Sequence, residues 1–243
     1  MTLKALILAA GRGERMRPLT DATPKPLLEV HGRPLIEWHL RALARDGVRE
    51  VVINTAWLGE QIPNRYGSHL AEPLPLSIAY SHEGVDFGRA LETAGGIARA
   101  LPLLGDAFWL LAGDVYVPGF VFDQDVATRF LASNALAHLW LVPNPPHNLK
   151  GDFGLGADGL VVNEALLQFT YSTIGLYRRA LFEPPWCDVP PGNAQGVAAP
   201  LAPLLRKAIA QGRVSGEIYA GSWADVGTPE RLMDLNHEPG QGK

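Results

Sequence analysis

Short runs that are apolar at nearly every position limit this chain more than any other feature. They are KALIL (Lys4–Leu8), EVVIN (Glu50–Asn54), LSIAY (Leu76–Tyr80), FWLLAGD (Phe108–Asp114) and AHLWLV (Ala137–Val142). A strand with one wet face alternates apolar and polar residues. A strand apolar on both faces is covered on both. Helical patterns separate the runs. PLIEWHLRALARDG (Pro34–Gly47) opens near a proline, repeats apolar residues at Leu35, Ile36, Leu40 and Leu43, and stops at a glycine. TAGGIARALPLL (Thr93–Leu104) reads as a shorter helix with Thr93 as its N-cap. Covered strands alternating with helices predict a parallel sheet between two helical layers.

The second half is less regular. FGLGADGLVV (Phe153–Val162) predicts two short strands about a glycine turn, and FTYSTIGLY (Phe169–Tyr177) predicts a longer strand. A helix is expected over Ala202–Gly212 and a last one from about Thr228. The expected fold is a Rossmann-like three-layer α/β/α sandwich with a central mixed, mostly parallel sheet. The change from parallel to mixed is expected after residue 143. With 47% hydrophobic residues the chain can build a core. One domain is expected over residues 1–236, with a flexible tail at 237–243.

A net charge of −4 gives no field for nucleic acid. No stretch of 18 apolar residues predicts a membrane span, and MTLKALILAAG does not read as a signal peptide, so a cytoplasmic location is expected. The single cysteine, Cys187, allows no internal disulfide, and the seven histidines show no ligand spacing. Either a monomer or a small homo-oligomer fits this composition.

LAAGRGERMRPLT (Leu8–Thr20) follows the first strand, where ligands of such sheets bind. It is neither of the usual phosphate loops. The sixth position of a G-x-G-x-x-G motif counted from Gly11 is Met16, the strand-end acid that would hold a ribose is Asn54, and no G-K-S/T follows. Yet Ala9, Ala10, Gly11 and Gly13 leave room for close approach to the backbone, whose N–H groups can form an anion nest. Arg12, Arg15 and Arg17 add charge, and Lys25 stands between two prolines.

The segment LILAAGRGERMRPLT…TPKPLLEVHGRPLIEWHLRAL resembles the sugar-1-phosphate nucleotidylyltransferases, whose signature is a G-x-G-x-R loop followed by P-K-P-L/M. The likeness continues in LETAGGI (Leu91–Ile97), LLAGDVY (Leu110–Tyr116) and WADVGTPERL (Trp223–Leu232), nearly the whole chain. INTAWLGEQI, GDF, LAPLLR and GRVSGEIY resemble the branch that uses UTP and N-acetylmuramate 1-phosphate in cell-wall recycling. The resemblance implies a nucleotide-diphospho-sugar transferase fold, with a nucleotide half at about 1–142 and a sugar half at about 143–236.

It also implies roles. Arg15 is expected to hold the β- and γ-phosphates and stabilise leaving pyrophosphate. Lys25 is expected to neutralise the phosphates that meet at the new bond. Ala9, Ala10, Gly11, Arg12, Gly13, Thr93 and Gly95 are expected around the nucleotide. Asp114 and Asp225 are expected to bind Mg²⁺, a hard ion suited to oxygen ligands; taken singly, each also reads as a turn-former or helix cap. Ala112, Gly151, Asp152, Glu164 and Thr173 are expected around the sugar. Two of these depart from the branch, which has asparagine in place of Ala112 and glycine in place of Thr173. Glu92 replaces the family's usual glycine, as that branch does. Guanylyl or thymidylyl transfer to mannose or glucose 1-phosphate is the neighbouring reading. A non-catalytic nucleotide-sugar sensor is the reading from another class, opposed by the presence of Arg15, Lys25, Asp114 and Asp225 together.

Overall fold

The computed structural model describes residues 2–71 and 74–237. The expected tail therefore lies outside the described residues except for His237, which ends a helix. In chain order the elements are β1 (Lys4–Ala9), a small hairpin of β2 (Glu29–Val30) and β3 (Arg33–Pro34), α1 (Leu35–Arg45), β4 (Glu50–Thr55), α2 (Gln61–Tyr66), β5 (His69–Leu70), β6 (Leu76–His82), α3 (Glu83–Phe87), α4 (Glu92–Ala100) and β7 (Ala107–Ala112). There follow β8 (Val115–Tyr116), α5 (Gln124–Ala132), β9 (Ala137–Val142), β10 (Gly154–Leu155), β11 (Val161–Val162), β12 (Thr170–Arg178), α6 (Leu201–Ile209), β13 (Val214–Ile218), β14 (Ala224–Asp225) and α7 (Pro229–His237).

Eight strands form one sheet in the order β13-β9-β12-β7-β1-β4-β6-β5. Strands β7, β1, β4 and β6 are parallel neighbours. Strand β12 is antiparallel to both β7 and β9, β13 is parallel to β9, and β5 closes an edge antiparallel to β6. The sheet is mixed and mostly parallel, as expected; β12 supplies the reversal expected after residue 143, and the short edge strand β5 adds one before it.

The apolar runs are explained by two cores. Strand β1 sends Ala5 and Ile7 into one, with Ile36 and Leu40 of α1, Ile53 and Trp109. It sends Leu6 into the other, with Ile97 of α4, Leu205 of α6, Phe108 and Tyr177. Each fully buried aliphatic side chain contributes roughly 1.5–3 kcal/mol. No described helix is long and apolar enough to cross a membrane.

One expectation is corrected. Thr93 does not cap α4, which begins at Glu92 and gives way to a 3-10 turn at Leu101–Leu103. The Ala199 carbonyl accepts from the N–H groups of Ala94 (2.8 Å) and Gly95 (3.1 Å) instead. The helix start is thus plugged by the backbone of the proline-rich segment that precedes α6.

Candidate active site

The loop after β1 is shaped by close packing. Gly13 has φ +65°, and a Cβ there would lie 3.1 Å from Thr20 Cγ2 and 3.3 Å from Lys25 Cβ. Thr20 donates to the Gly13 carbonyl (2.8 Å). Lys25 opens a 3-10 turn, Lys25–Leu27, between two prolines and is buried. Its Nζ lies 2.6 Å from Asp114 Oδ2. The parallel β1–β7 ladder brings these distant residues together, since Leu8 stands opposite Ala112. The Gly113 N–H donates to the Leu8 carbonyl (2.8 Å) and turns the chain toward Asp114.

Beneath the loop runs a buried polar chain. Asn54, at the end of β4, accepts from the Ala9 N–H (2.7 Å) and donates to Glu83 Oε1 (2.6 Å). Glu83 Oε2 accepts from the Leu91 N–H just before α4 (2.7 Å). Glu83 is fully buried, and desolvation pushes its carboxyl above the usual range against the hydrogen bonds from Leu91 and Asn54. Gly96 makes the room, because a Cβ there would fall 2.9 Å from Asn54 Nδ2 and closer still to Glu83 Oε1.

Backbone pairing brings the Asp225 segment beside the Asp114 turn. Strand β14 pairs with β8, setting Asp225 opposite Val115, and the Val226 N–H donates to the Asp114 carbonyl (3.1 Å). Asp225 Oδ1 is 2.9 Å from His147 Nε2, and Oδ2 accepts from Arg231 (2.8 Å). Among the described residues no group of three or more histidine, cysteine, aspartate or glutamate side chains could hold a metal. Two hard oxygen donors, with the remaining positions left to phosphate and water, are what Mg²⁺ accepts. Asp114 and Asp225 have the oxygen chemistry that ion prefers, and each is here held by a cation, Lys25 and Arg231 respectively.

Several of these residues border a cleft of about 670 Å³ at the carboxyl ends of β1 and β7, whereas Gly13, His147, Asp225 and Arg231 stand outside its lining. Ala9, Ala10, Gly11, Lys25, Thr93, Ala112, Asp114, Asp152 and Thr173 line it. Asp152 is held by the Tyr171 N–H (2.8 Å) and Asn148 (3.3 Å). Thr173 has φ +63°, the left-handed region that β-branched residues avoid, at an irregularity in the β12–β9 pairing. Glu92 has φ +57° and also lines the cleft.

Other expected residues stand off the cleft wall. Arg12 bonds to the Thr20 carbonyl (3.0 Å) and Asp21 (3.1 Å) and stacks on Trp57 with its carbon 3.6 Å from the ring centre. Arg15 is exposed and makes no ion pair or hydrogen bond with the described residues. Gly95 and Gly151 serve close backbone approaches; Cβ atoms there would meet the Val197 carbonyl and Gln168 C. Glu164 is exposed on the segment between β11 and β12. Asn54, Glu83, His147, Arg206 and Arg231 belong to the cleft or its supports without having been singled out from the sequence as site residues. Asn54 carried a signal in its place at a strand end, and Arg206 and Arg231 lie within the family-like segments LAPLLR and WADVGTPERL; Glu83 and His147 carried none.

A small-residue loop, a buried lysine on an aspartate, and a second aspartate at the carboxyl ends of a mixed α/β sheet define a class that binds and transfers phosphorylated groups. The chain belongs to the nucleotidyl transferase family, whose profile matches residues 4–154. It is 48% identical over 249 residues to N-acetylmuramate alpha-1-phosphate uridylyltransferase of Neisseria meningitidis serogroup B, covering 99% of this chain and 100% of that protein. It is 32% identical over 247 residues to the Caulobacter vibrioides protein of the same name, covering 94% and 93%. HddC from Yersinia pseudotuberculosis shares the fold at a TM-score of 0.70 and 15% identity, with 98% of this chain and 99% of that one covered.

Proposed function

We propose that this protein transfers a uridylyl group from UTP to a sugar 1-phosphate, N-acetylmuramate 1-phosphate, and releases pyrophosphate. The convergence of Lys25, Asp114 and the Ala9–Gly11 loop on one cleft carries the reading of the reaction. The names of the two full-length relatives supply the base and the sugar. A sugar-phosphate oxygen bonds to the α-phosphorus of UTP, and the bond from that phosphorus to the α,β-bridging oxygen breaks. The electron pair leaves with pyrophosphate. The nucleophile is already an anion, so no base has to remove a proton.

The barriers are repulsion between two anions, in-line placement and charge growing on the leaving group. Lys25 offsets the first. Arg15, unpaired on a glycine loop, can swing to the third. Ala9, Ala10 and Gly11 let the triphosphate approach the backbone. Asp114 and Asp225 would hold Mg²⁺, which supplies further neutralisation of the phosphates. The product UDP-sugar would feed cytoplasmic reuse of cell-wall sugar.

Pyrophosphate release tests this with UTP, GTP and dTTP against N-acetylmuramate, mannose and glucose 1-phosphates, with and without a chelator. Turnover is expected with UTP and N-acetylmuramate 1-phosphate and should stop on chelation. Turnover confined to GTP and mannose 1-phosphate would overturn the reading.

A further inference from the structure

Two cations line the cleft. Lys25 is paired with Asp114. The other, Arg206 on α6, is exposed and makes no ion pair or hydrogen bond through its side chain with the described residues. Its guanidinium lies over Phe153, with the ring centre 5.1 Å from the guanidinium carbon. A ring face steadies a guanidinium while leaving its N–H edge free.

The neighbouring wall is formed by Asp152, Phe153, Tyr171 and Thr173. Asp152 is already engaged by the Tyr171 N–H and Asn148, and no ion pair joins it to Arg206. A braced guanidinium with no protein partner is free to take a planar anion in two parallel hydrogen bonds. The sugar assigned above carries an anion besides its phosphate, the carboxylate of its 3-O-lactyl ether. The wall beside the small-residue loop already has Lys25, paired with Asp114.

We propose that Arg206 binds the lactyl carboxylate of the sugar phosphate and thereby selects a muramic-type sugar over the matching N-acetylglucosamine. This rests on the uridylyl transfer reading above. The planar fork of guanidinium matches a carboxylate in two parallel hydrogen bonds, and Phe153 keeps the fork from turning away. Specificity then comes from a charge located on α6, remote in sequence from the loop that handles phosphate.

The test compares kcat/KM for N-acetylmuramate 1-phosphate and N-acetylglucosamine 1-phosphate, which differ only by the lactyl group. R206A is expected to lower the ratio by about 10- to 100-fold, the range for losing a charge-assisted pair. The unsubstituted protein given a substrate whose lactyl carboxylate is converted to the amide should lose a similar factor, and R206A should add little to that loss. An equal fall of both substrates on R206A would put Arg206 on the shared phosphate and overturn the proposal. So would a ratio unchanged by the substitution. A parent protein that turns over neither sugar would instead defeat the uridylyl transfer reading. Arg206 is exposed, so the melting temperature of R206A should match the parent and confirm that folding is intact.

Discussion

Lys25 and Asp114, 89 residues apart, close a 2.6 Å ion pair at the head of the cleft. The lysine side chain is 11% exposed and the aspartate 38%. The pair is a partly wet contact whose charges remain available to substrate. Lys25→Ala is expected to cut kcat by two to three orders of magnitude, about 3–4 kcal/mol by analogy with removal of other preorganised charge. Its effect on folding should be small, because water can reach the aspartate left behind. Pyrophosphate release and thermal denaturation on the same samples check both halves.

Asn54→Ala strikes the support instead of the chemistry. It strands the Ala9 N–H and one oxygen of Glu83, both buried. A loss of about 2–4 kcal/mol in folding stability is expected, with weaker UTP binding because the loop loses its anchor. Urea denaturation and equilibrium titration with UTP would show the two effects together. A variant as stable as the parent would remove the anchoring role.

His39 predicts a pH dependence. It is buried behind the cleft floor with Nε2 unpartnered, and desolvation, against hydrogen bonds to the Val115 and Ala112 backbone, lowers its pKa to about 4. Unfolded histidine takes up its proton near pH 6.5, while the folded form resists until about pH 4. The unfolded state therefore binds more protons in that window, and stability falls as pH drops from 6.5 toward 4, by up to about 3 kcal/mol. Glu83, with its raised carboxyl, works in the opposite direction. Comparing the parent with His39→Leu isolates the histidine, and the parent's stability should fall relative to the variant's as the pH is lowered from 6.5 toward 4.

Thr173→Gly should stabilise the protein. A β-branched residue at φ +63° carries strain of about 1–2 kcal/mol, which glycine does not. Glycine's looser unfolded chain and the lost Thr173–Ser172 hydrogen bond return part of the gain. The net is about 1 kcal/mol or less, a rise of roughly 2–4 °C in Tm at most for a chain of this size. The KM for sugar phosphate should change too, since Thr173 lines the cleft. A lower Tm would show that the surrounding packing uses the threonine methyl.

The sheet was legible because burial on two faces writes itself into every position of β1, β4, β7 and β9. Short elements held by tertiary pairing were not. The β8–β14 ladder has two residues in each strand, and only its pairing sets Asp225 beside the Asp114 turn. Helix α5 escaped notice although Asp123 caps it, accepting from the Asp125 N–H at 2.7 Å. Asn54 was legible as a departure from the dinucleotide pattern. Its purpose was hidden because its partners, Ala9 and Glu83, lie 45 and 29 residues away. Arg206 closes the family-like segment LAPLLR, but its place on the cleft was hidden because only the packing of α6 brings it beside Phe153.

The Ala199 carbonyl at the start of α4 has a consequence for how such a cleft can change over evolution. Many phosphate sites draw positive potential from a bare helix terminus, which no point mutation can delete. Here two N–H groups of that terminus, those of Ala94 and Gly95, are spent on the chain's own backbone. Beyond the backbone of the loop after β1, attraction for anions rests on lysine and arginine side chains, each a single codon that can be exchanged. A fold wired in this way can trade one anionic sugar for another by replacing one side chain while leaving its backbone alone.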